Sequence, residues 1–409
     1  MNTTSYPKEK IKVLLLEGVH PAALKIFNEG GYVNIISSGA AMSEEELLET
    51  IQDVHILGIR SKTQITEAVI EKAKKLLAIG CFCIGTNQVQ MAAATAAGIA
   101  VFNSPFSNTR SVAELVIGEA IILLRRIIEK NTAAHQGFWM KDSKNCYEVR
   151  GKTLGIVGYG HIGSQVSVLA ESMGFKVIYY DVDSKLPLGN ASPVKTLKDV
   201  LENSDVVTLH VPGTPLTKNM INEERISQMK NGSILINLSR GDVIDGLAVK
   251  TAIENKKLGG LAVDVFPHEP SSKNEVFHSP LQNLPNVLLS PHIGGSTLEA
   301  QENIGIDVST KLMSFTETGS SVGSLSIPPL SLSVQQNTSR MLHIHKNLPG
   351  VLSEINSILS KHNVNIEAQY LKTNQQIGYV VFDVDKKTSP LVMEELKDVK
   401  HTIRIRSVF

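Results

Sequence analysis

The stretch LGIVGYGHIGSQV, residues 154–166, carries Gly158, Gly160 and Gly163 in the spacing G-x-G-x-x-G. The spacing alone is weak evidence, because a chain with 30 glycines among 409 residues can contain it by chance. Its surroundings are more specific: the strand-like run TLGIV precedes Gly158, a helix-like run follows Gly163, and the next strand-like run ends in Asp181. Together these features predict a strand–turn–helix unit that binds the pyrophosphate of a dinucleotide.

Each glycine has its own physical reason in such a turn. Gly158 permits the sharp change of direction, Gly160 lets backbone amides approach the phosphates, and Gly163 lets the helix pack close to the sheet. A carboxylate at the position of Asp181 accepts hydrogen bonds from the adenosine ribose and repels a 2′-phosphate, so the pattern favours NAD over NADP. The alternative is a glycine turn without a ligand, with Asp181 exposed to solvent.

Outward from this turn, strand-like and helix-like runs alternate through about the first 300 residues, which predicts parallel sheets with crossover helices. The first unit has five strand-like runs: KVLLLE, YVNII, HILGI, LLAIGCFCIG and IAVFN. The second has six: TLGIVGYG, KVIYYD, VVTLHV, SILINLS, LAVDVF and VLLSPH. We expect an α/β protein with two doubly wound parallel-sheet domains, of which the first is flavodoxin-like and the second a Rossmann domain.

The connections between these parts can also be predicted. Residues 107–130, SNTRSVAELVIGEAIILLRRIIEK, should form one long helix with Ser107 or Asn108 as its N-cap. A helical stretch from about 297 to 314 is expected to return to the first unit. Residues 315–339 are rich in Ser, Gly and Pro, which predicts a linker or edge segment. The last part of the chain has the order βαββαβ of a ferredoxin-like fold, so the expected domains are 1–107 with 297–330, 108–296, and 331–409.

Composition excludes several classes of protein. Lys plus Arg and Asp plus Glu both total 40, so the formal charge is zero and nucleic acid is not an expected partner. The longest apolar stretch, LVIGEAIILL, is interrupted by Glu119 and is too short to span a bilayer, and the N-terminus does not resemble a signal peptide, so we expect a cytoplasmic protein with no membrane partner. Cys81 and Cys83 are spaced C-x-C in an apolar run, which indicates buried small side chains, and we expect no metal site.

Three polar side chains follow strand-like runs of the second unit, where sites of α/β proteins lie. Arg240 follows SILINLS, Glu269 follows LAVDVF, and His292 follows VLLS. A guanidinium binds a carboxylate with two hydrogen bonds, an imidazole can accept a hydroxyl proton, and a carboxylate bonded to its other nitrogen fixes the tautomer. Such a trio would oxidise a 2-hydroxy acid. Taken singly, Arg240 could instead cap a helix or form a surface ion pair, and Glu269 could be an exposed loop charge.

The motifs GYGHIG, NLSRGDVID, DVFPHEP and SPHIGG resemble the D-isomer-specific 2-hydroxyacid dehydrogenase family over about the first 315 residues. With IGTNQV, FSNTRSVAEL and HIHKNLPGVLSEIN, the whole chain is similar to the ACT-bearing members that act on 3-phosphoglycerate. The resemblance implies that Arg240 binds the substrate carboxylate, that His292 transfers the proton and that Glu269 supports His292. It implies further contacts to the NAD cofactor from the following residues: His161, Ile162, Leu238, Ser239, Asp264, Gly294 and Gly295.

The residues on the substrate side are implied less specifically. The resemblance suggests that Arg60 and Ser61 contact the substrate phosphate or carboxylate, although Arg60 could be an ordinary surface residue. Asn108 could contact substrate or simply cap a helix, and Lys141 could reach a neighbouring subunit's site or be solvated. Trp139 is expected to be an oligomer contact, and the resemblance implies a homotetramer.

The C-terminal motif HIHKNLPG resembles the opening of an ACT domain, which binds an amino acid where its first strand meets its first helix. The resemblance implies L-serine as a feedback inhibitor, held by the amides near Pro349 and Gly350 together with Asn347 and Asn365. His345 would complete this pocket, although His343 and His345 could equally be structural.

The resulting expectation is an NAD-dependent enzyme that oxidises (R)-3-phosphoglycerate to 3-phosphooxypyruvate in L-serine synthesis, with reduction of 2-oxoglutarate as an additional activity. Two alternatives stay open. One is another D-2-hydroxyacid dehydrogenase, because the catalytic trio is shared and only the first unit selects the substrate. The other is a regulator that senses NAD without turnover, against which the intact trio argues.

Overall fold

The computed structural model describes residues 6–270, 275–333, 338–384 and 390–408. The chain divides into two compact units. The first consists of Met1–Ser107 and Gln301–Phe409, and the second of Asn108–Ala300. A search of the described residues finds no helix that is both long and apolar enough to cross a membrane.

The first unit contains a five-stranded parallel sheet in the order β2-β1-β3-β4-β5, which is the flavodoxin-like order that we expected. Its strands are β1 (Val13–Leu15), β2 (Ile35–Ser37), β3 (Ile56–Ile59), β4 (Ala78–Cys81) and β5 (Ala100–Asn103). Its helices are α1 (Pro21–Glu29), α2 (Glu44–Thr50), α3 (Glu67–Lys72) and α4 (Met91–Ala96). All residues of β1, β3, β4 and β5 are buried, as a parallel sheet covered on both faces requires.

The second unit contains a seven-stranded parallel sheet in the order β12-β11-β10-β9-β6-β7-β8. Its strands are β6 (Thr153–Val157), β7 (Lys176–Tyr180), β8 (Ser192–Pro193), β9 (Val206–Leu209), β10 (Ser233–Asn237), β11 (Leu258–Val263) and β12 (Val287–Leu289). Its helices are α5 (Thr109–Leu124), α6 (Ile127–His135), α7 (His161–Ser172), α8 (Leu197–Asn203), α9 (Glu223–Gln228) and α10 (Gly246–Glu254). The six predicted strands are confirmed, and the two-residue edge strand β8 is additional.

The expectation of one long helix over residues 107–130 is wrong. α5 ends at Leu124 and α6 begins at Ile127, because Arg126 between them has a left-handed backbone with φ 53°. An ion pair between Arg126 Nη2 and Glu129 Oε1, at 2.6 Å, helps to hold the first turn of α6. No glycine or proline marks this break, so the sequence pattern does not indicate it.

The C-terminal part belongs to the first unit and begins with the long helix α11 (Leu298–Thr318). A four-stranded antiparallel sheet in the order β14-β15-β13-β16 follows, and the predicted βαββαβ order is confirmed. Its elements are β13 (Ser339–Lys346), α12 (Val351–Lys361), β14 (Ile366–Thr373), β15 (Ile377–Val384), α13 (Pro390–Lys397) and β16 (Thr402–Ser407).

The predicted linker over residues 315–339 is in part something else. Residues 315–318 form the last turn of α11. Farther on, Ser326 lies beside β5, where its hydroxyl accepts a hydrogen bond from Val101 N at 2.8 Å and donates one to Ile99 O at 2.7 Å. Ser321 and Ile327 are buried. The segment is therefore an ordered edge of the first sheet, apart from residues 334–337, which lie outside the described part of the chain.

Candidate active site

The glycine-rich turn after β6 has the geometry that explains two of its three glycines directly. Gly158 has φ 91°, and a Cβ atom there would stand 2.3 Å from the carbonyl oxygen of His210. A Cβ atom on Gly163 would stand 2.2 Å from the carbonyl oxygen of Gly158, so any side chain would push α7 away from the turn. Both positions exclude every residue except glycine.

Gly160 is different, because a Cβ atom there would meet nothing within 4 Å. It is the N-cap residue of α7, and no side chain caps this helix end. His161 and Ile162 form the first turn of α7. The open space beside an uncapped helix N-terminus fits a phosphate group, which the first backbone amides and the helix dipole would bind.

Asp181 follows β7 and is held next to the glycine-rich turn. Its Oδ2 accepts a hydrogen bond from Tyr159 N at 2.7 Å, and its Oδ1 accepts one from Asp183 N at 2.9 Å. The Tyr159 ring stacks on Tyr179 with centroids 3.7 Å apart, and its hydroxyl accepts a hydrogen bond from Leu188 N. Sequence reasoning missed Tyr159, which joins the turn to the Asp181 segment through both its backbone and its side chain.

Residues 238–240 leave the end of β10. Asn237, the last residue of that strand, accepts hydrogen bonds from both the backbone and the hydroxyl of Ser239 and donates one to Arg240 O at 3.0 Å. Arg240 Nη1 donates to Ser239 O at 2.7 Å. Asn237 is fully buried, so this side chain acts as an internal brace for the turn. A polar residue ending a strand of apolar residues is the signal that could have found it.

Asp264 follows β11, the neighbouring strand, and both of its oxygens bind the segment after β12. Oδ1 accepts from Ser290 Oγ and from Ile293 N, and Oδ2 accepts from Gly294 N at 2.8 Å. Asp264 is almost completely buried. Its carboxylate therefore holds the Ser290 side chain before His292 and the backbone directly after it, a role that adds to the cofactor contact implied by resemblance.

His292 and Glu269 form a hydrogen-bonded pair in which His292 Nδ1 lies 2.8 Å from Glu269 Oε2. The other oxygen, Glu269 Oε1, accepts from Phe266 N at 3.1 Å. The backbone of His292 is left-handed, with φ 53°, and 53% of its side chain is exposed. The ring is thus oriented by a carboxylate on one side and open on the other. Arg240, Asp264, Glu269 and His292 all follow the ends of the neighbouring strands β10, β11 and β12, and we call them the strand-end cluster.

The helix α5 contributes two polar groups near this cluster. Asn108 occupies the N-cap position of α5, but its side chain makes no capping hydrogen bond, and its Oδ1 is buried without a partner. A Cβ atom on Gly295 would meet Asn108 Nδ2 at 2.1 Å, which explains that glycine. Glu119 is fully buried, and neither of its oxygens has a hydrogen-bond partner in the described part of the chain. Burial together with the charge of Asp264 raises its pKa to about 8.

The predicted substrate residues of the first unit follow β3. Ser61 is exposed, and the carbonyl of Arg60 accepts a hydrogen bond from Gln88 Nε2 at 2.5 Å. Glu17, which sequence reasoning missed, accepts hydrogen bonds from Lys62 N at 3.0 Å and Thr63 N at 2.8 Å. Burial alone would raise the pKa of Glu17, but these backbone donors lower it overall.

The other predicted residues lie elsewhere. Lys141 is exposed on the segment after α6, and Trp139 beside it is 85% exposed. In the C-terminal sheet Asn365 is exposed and Asn347 donates a hydrogen bond to Asn374 O at 2.7 Å. His345 is buried, and burial lowers its pKa. A search of the described residues finds no group of His, Cys, Asp or Glu side chains that could hold a metal ion.

Comparison with known proteins defines the class. Residues 117–294 match the family model "D-isomer specific 2-hydroxyacid dehydrogenase, NAD binding domain", and residues 341–404 match "AHAS small subunit-like ACT domain". The solved structure of the D-isomer specific 2-hydroxyacid dehydrogenase from Lactobacillus delbrueckii in its NAD-complexed form is also similar. Its TM-score is 0.66 at 25% identity, and the match covers 74% of this chain and 96% of that one. The chain is thus an NAD-binding oxidoreductase with a C-terminal ACT-like domain.

Relatives that match over the full length are closer. The D-3-phosphoglycerate dehydrogenases of Haemophilus influenzae and Escherichia coli are each 52% identical to this chain, and each match covers 100% of both sequences. The chain therefore belongs to the D-isomer specific 2-hydroxyacid dehydrogenase family.

Proposed function

We propose that this chain oxidises (R)-3-phosphoglycerate to 3-phosphooxypyruvate with NAD, the reaction that begins L-serine synthesis. The observation that carries the proposal is the hydrogen bond of 2.8 Å between His292 and Glu269, at the sheet edge where Arg240 also lies. In this pair His292 is the general base that removal of a hydroxyl proton requires, and Glu269 orients its ring. The names of the full-length relatives support the choice of substrate.

The pair defines which nitrogen of His292 reacts. Because an ionised carboxylate can only accept hydrogen bonds, the bond to Glu269 Oε2 places the proton of the neutral ring on Nδ1. Nε2 is then the basic nitrogen and takes the proton of the substrate's C2 hydroxyl. Glu269 stabilises the imidazolium that forms, and Arg240 binds the substrate carboxylate. When bound, NAD accepts the hydride from C2.

In this proposal the cofactor is held by the first amides of α7 and by Asp181. The uncapped N-terminus and the open space at Gly160 support the fit. The remaining contacts come from three segments after strands: Leu238 and Ser239, Asp264, and Gly294 and Gly295. The hydrogen bonds that Asp264 accepts from Ile293 N and Gly294 N hold the backbone beside His292 in place during the reaction.

Substrate selection and regulation are finer parts of the same proposal. Arg60 and Ser61 bind the substrate phosphate, with Asn108 and Lys141 as further contacts. L-serine binds near the uncapped N-terminus of α12, where Gly350 has φ 93° and a Cβ atom would meet nothing within 4 Å. The exposed side chains of Phe138 and Trp139 support an oligomer, which we propose to be a homotetramer.

Absorbance of NADH tests substrate and regulation together. The purified chain is given NAD with 3-phosphoglycerate, glycerate or lactate, or NADH with 2-oxoglutarate, each with and without millimolar L-serine. We expect rapid turnover of 3-phosphoglycerate and inhibition by L-serine. Equal turnover of lactate would instead indicate another 2-hydroxyacid dehydrogenase. Binding of NADH without any turnover would indicate a regulator.

The variant Arg60→Gln separates phosphate recognition from the shared chemistry. It should raise KM for 3-phosphoglycerate at least tenfold, because a charge-assisted pair to phosphate is lost. KM for glycerate, which lacks the phosphate, should change little. Light scattering of the same preparation measures the oligomer, and a monomer would contradict the proposed tetramer.

A further inference from the structure

The first unit contains a cavity of about 550 Å³ whose walls come from five separate segments of the chain, the first of which contains Tyr6 and Ile11. His55 and Leu77 lie directly before β3 and β4, Thr316 lies in the last turn of α11, and residues 404–408 belong to β16 and its end. The cavity therefore lies at the amino-terminal edge of the parallel sheet. Arg60 follows the opposite, carboxyl-terminal end of β3, so the cavity is separate from the predicted substrate contact.

The charged side chains that line this cavity are all basic. Lys74, Lys75, Arg404 and Arg406 line it together with His55, and none of its lining residues is acidic. We call it the cationic cavity. Its two lysines are exposed, and its two arginines are half-buried. So many like charges repel one another unless an anion lies among them.

The two arginines have no ion-pair partner among the described residues. Arg404 Nη1 donates to Leu76 O, and Arg406 donates to Thr316 O at 3.0 Å and Phe315 O at 2.5 Å. These carbonyls carry only partial charges, so each guanidinium keeps its full positive charge. Burial, and for Arg404 also the charge of Arg406, lowers the pKa of both groups, that of Arg404 to about 10.

A fully buried arginine in the same sheet has a neutralising partner and serves as a comparison. Arg340 pairs with Asp383 through two hydrogen bonds of 2.6 Å and 2.7 Å, and both side chains are fully buried. Among the described residues Asp383 neutralises Arg340, whereas Arg404 and Arg406 have no carboxylate partner, and Arg406 instead lies over the Phe315 ring at 4.8 Å. Because a partly desolvated charge without a counter-charge is costly, the difference points to an anion that comes from outside the described part of the chain.

We propose that the cationic cavity is a second ligand site, which binds a small organic anion with at least two negative charges on phosphate or carboxylate groups. The four positive side chains favour a ligand with more than one negative charge, and planar guanidinium groups match both phosphate and carboxylate. Apolar lining from Ile11, Leu77 and Ile405 would contact its carbon skeleton. Because β16 forms one wall and the β3 and β4 segments another, the ligand would strengthen the packing of the ACT-like sheet on the first sheet.

A purely structural role for the arginines predicts a different result. Arg406 caps the last carbonyls of α11, which by itself favours a cation at that position. That role needs neither Lys74 nor Lys75, both of which are exposed. The lysines are therefore the residues to change, because their replacement should leave the fold intact.

Calorimetric titration of the full-length chain with pyrophosphate and with citrate, at constant ionic strength, tests the proposal without any turnover. We expect saturable binding and a rise in Tm. Lys75→Glu should weaken the affinity at least tenfold, because it replaces a positive charge at the cavity wall by a negative one. Lys72→Glu is the matched control: it makes the same charge change on an exposed residue of α3 that does not line the cavity, and it should leave affinity within twofold.

The double variant Arg60→Gln, Arg240→Gln removes the two guanidinium groups that are proposed to bind the substrate in the active site. Binding that survives in this variant and weakens in Lys75→Glu supports the second site. Binding that is lost in this variant and unchanged in Lys75→Glu places the anion at the active site and overturns the proposal. Absence of saturable binding, or equal weak binding by acetate and sulfate, overturns it as well, whatever the outcome of the NADH assay.

Discussion

The first strand-to-helix turns of the two parallel sheets occupy equivalent places in the topology but have opposite chemistry. After β1 the chain passes through Glu17 and Gly18, with φ 64° and 62°, and enters α1. The N-cap residue His20 accepts a hydrogen bond from Ala22 N through its side chain, and Pro21 supplies no amide hydrogen. After β6 the chain passes through Gly158 and Gly160, and no side chain caps α7.

The difference shows why one turn suits a dinucleotide and the other does not. The turn after β1 already contains a carboxylate, that of Glu17, which accepts hydrogen bonds from the backbone amides of residues 62 and 63. The start of α1 has few free backbone donors, because His20 caps it and Pro21 has no amide hydrogen. The turn after β6 leaves both the space and the amides open to a phosphate. The same fold element thus orders a loop in the first sheet and, in our proposal, binds a ligand in the second.

The largest effect is expected from Gly158→Ala. The new Cβ would strike the carbonyl of His210, and φ 91° is a strained conformation for alanine. NADH binding, measured by fluorescence titration, should fall beyond detection, and Tm should drop by several degrees, as a loss of about 1–3 kcal/mol requires. Gly118→Ala is the control, because a Cβ there meets nothing within 4 Å. Unchanged NADH affinity in Gly158→Ala would contradict the role given to the turn.

Gly160→Asp converts the open turn into a capped one. A Cβ at this position meets nothing, φ is −82°, and aspartate is a favoured N-cap residue, so Tm should stay the same or rise. Its carboxylate would occupy the phosphate position and repel the pyrophosphate, so NADH affinity should fall at least a hundredfold, or about 2.7 kcal/mol. A fall in Tm equal to that of Gly158→Ala would mean that the two glycines do not differ as described.

Glu17→Gln tests the turn after β1. The glutamine side chain replaces a charged acceptor by a weaker neutral one. The backbone amides of residues 62 and 63 are then held less firmly, and the neighbouring Arg60 becomes less well ordered. KM for 3-phosphoglycerate should rise about three- to tenfold, which corresponds to about 1 kcal/mol. The affinity for NADH should not change, and a matched loss of NADH affinity would contradict the expectation that Glu17 acts only on the loop that carries Arg60.

The dependence of stability on pH separates the two buried glutamates. Glu17 has amide donors and a lowered pKa, so its contribution to stability is present at neutral pH and lost as pH falls through its folded-state pKa. Glu119 has no partner and a pKa raised to about 8, so in the folded state it is neutral at pH 7. Its contribution is present below the unfolded-state pKa near 4.5 and is lost as pH rises towards 8, by at most about 1.4 kcal/mol per pH unit.

Urea unfolding of wild type and Glu119→Gln between pH 5 and 9 measures this slope. The neutral amide cannot ionise, so the variant should gain stability relative to wild type as pH rises. Glu114→Gln, an exposed carboxylate of the same helix paired with Arg110, is the control and should follow the wild-type profile. Parallel profiles for all three proteins would show that Glu119 is not protonated in the folded state.

Local patterns in the sequence predicted much of the fold. Buried parallel strands are short runs of apolar residues, and the glycines at 158 and 163 are required by backbone contacts within one turn, so both features are visible in the order of residues. The segments that carry Arg240, Glu269 and His292 were predictable because each directly follows such a strand.

What the sequence did not indicate depends on contacts between distant residues. The break at Arg126 is a left-handed residue without glycine or proline, so no local signal marks it. Glu17 lies 46 residues from Thr63, from whose backbone amide it accepts a hydrogen bond. Arg404 lies 328 residues from Leu76, to whose carbonyl it donates one. Only the packed sheets bring such groups together.

The central claim is that His292, oriented by Glu269, is the base of an NAD-dependent oxidation. His292→Asn tests it most directly, because asparagine tolerates the left-handed backbone at this position and cannot accept a proton at neutral pH. NADH affinity and kcat for 3-phosphoglycerate are measured on the same preparation. The account predicts NADH affinity within twofold of wild type and a kcat reduced by about 10³ or more. A kcat within tenfold of wild type, with the cofactor still bound, would contradict it.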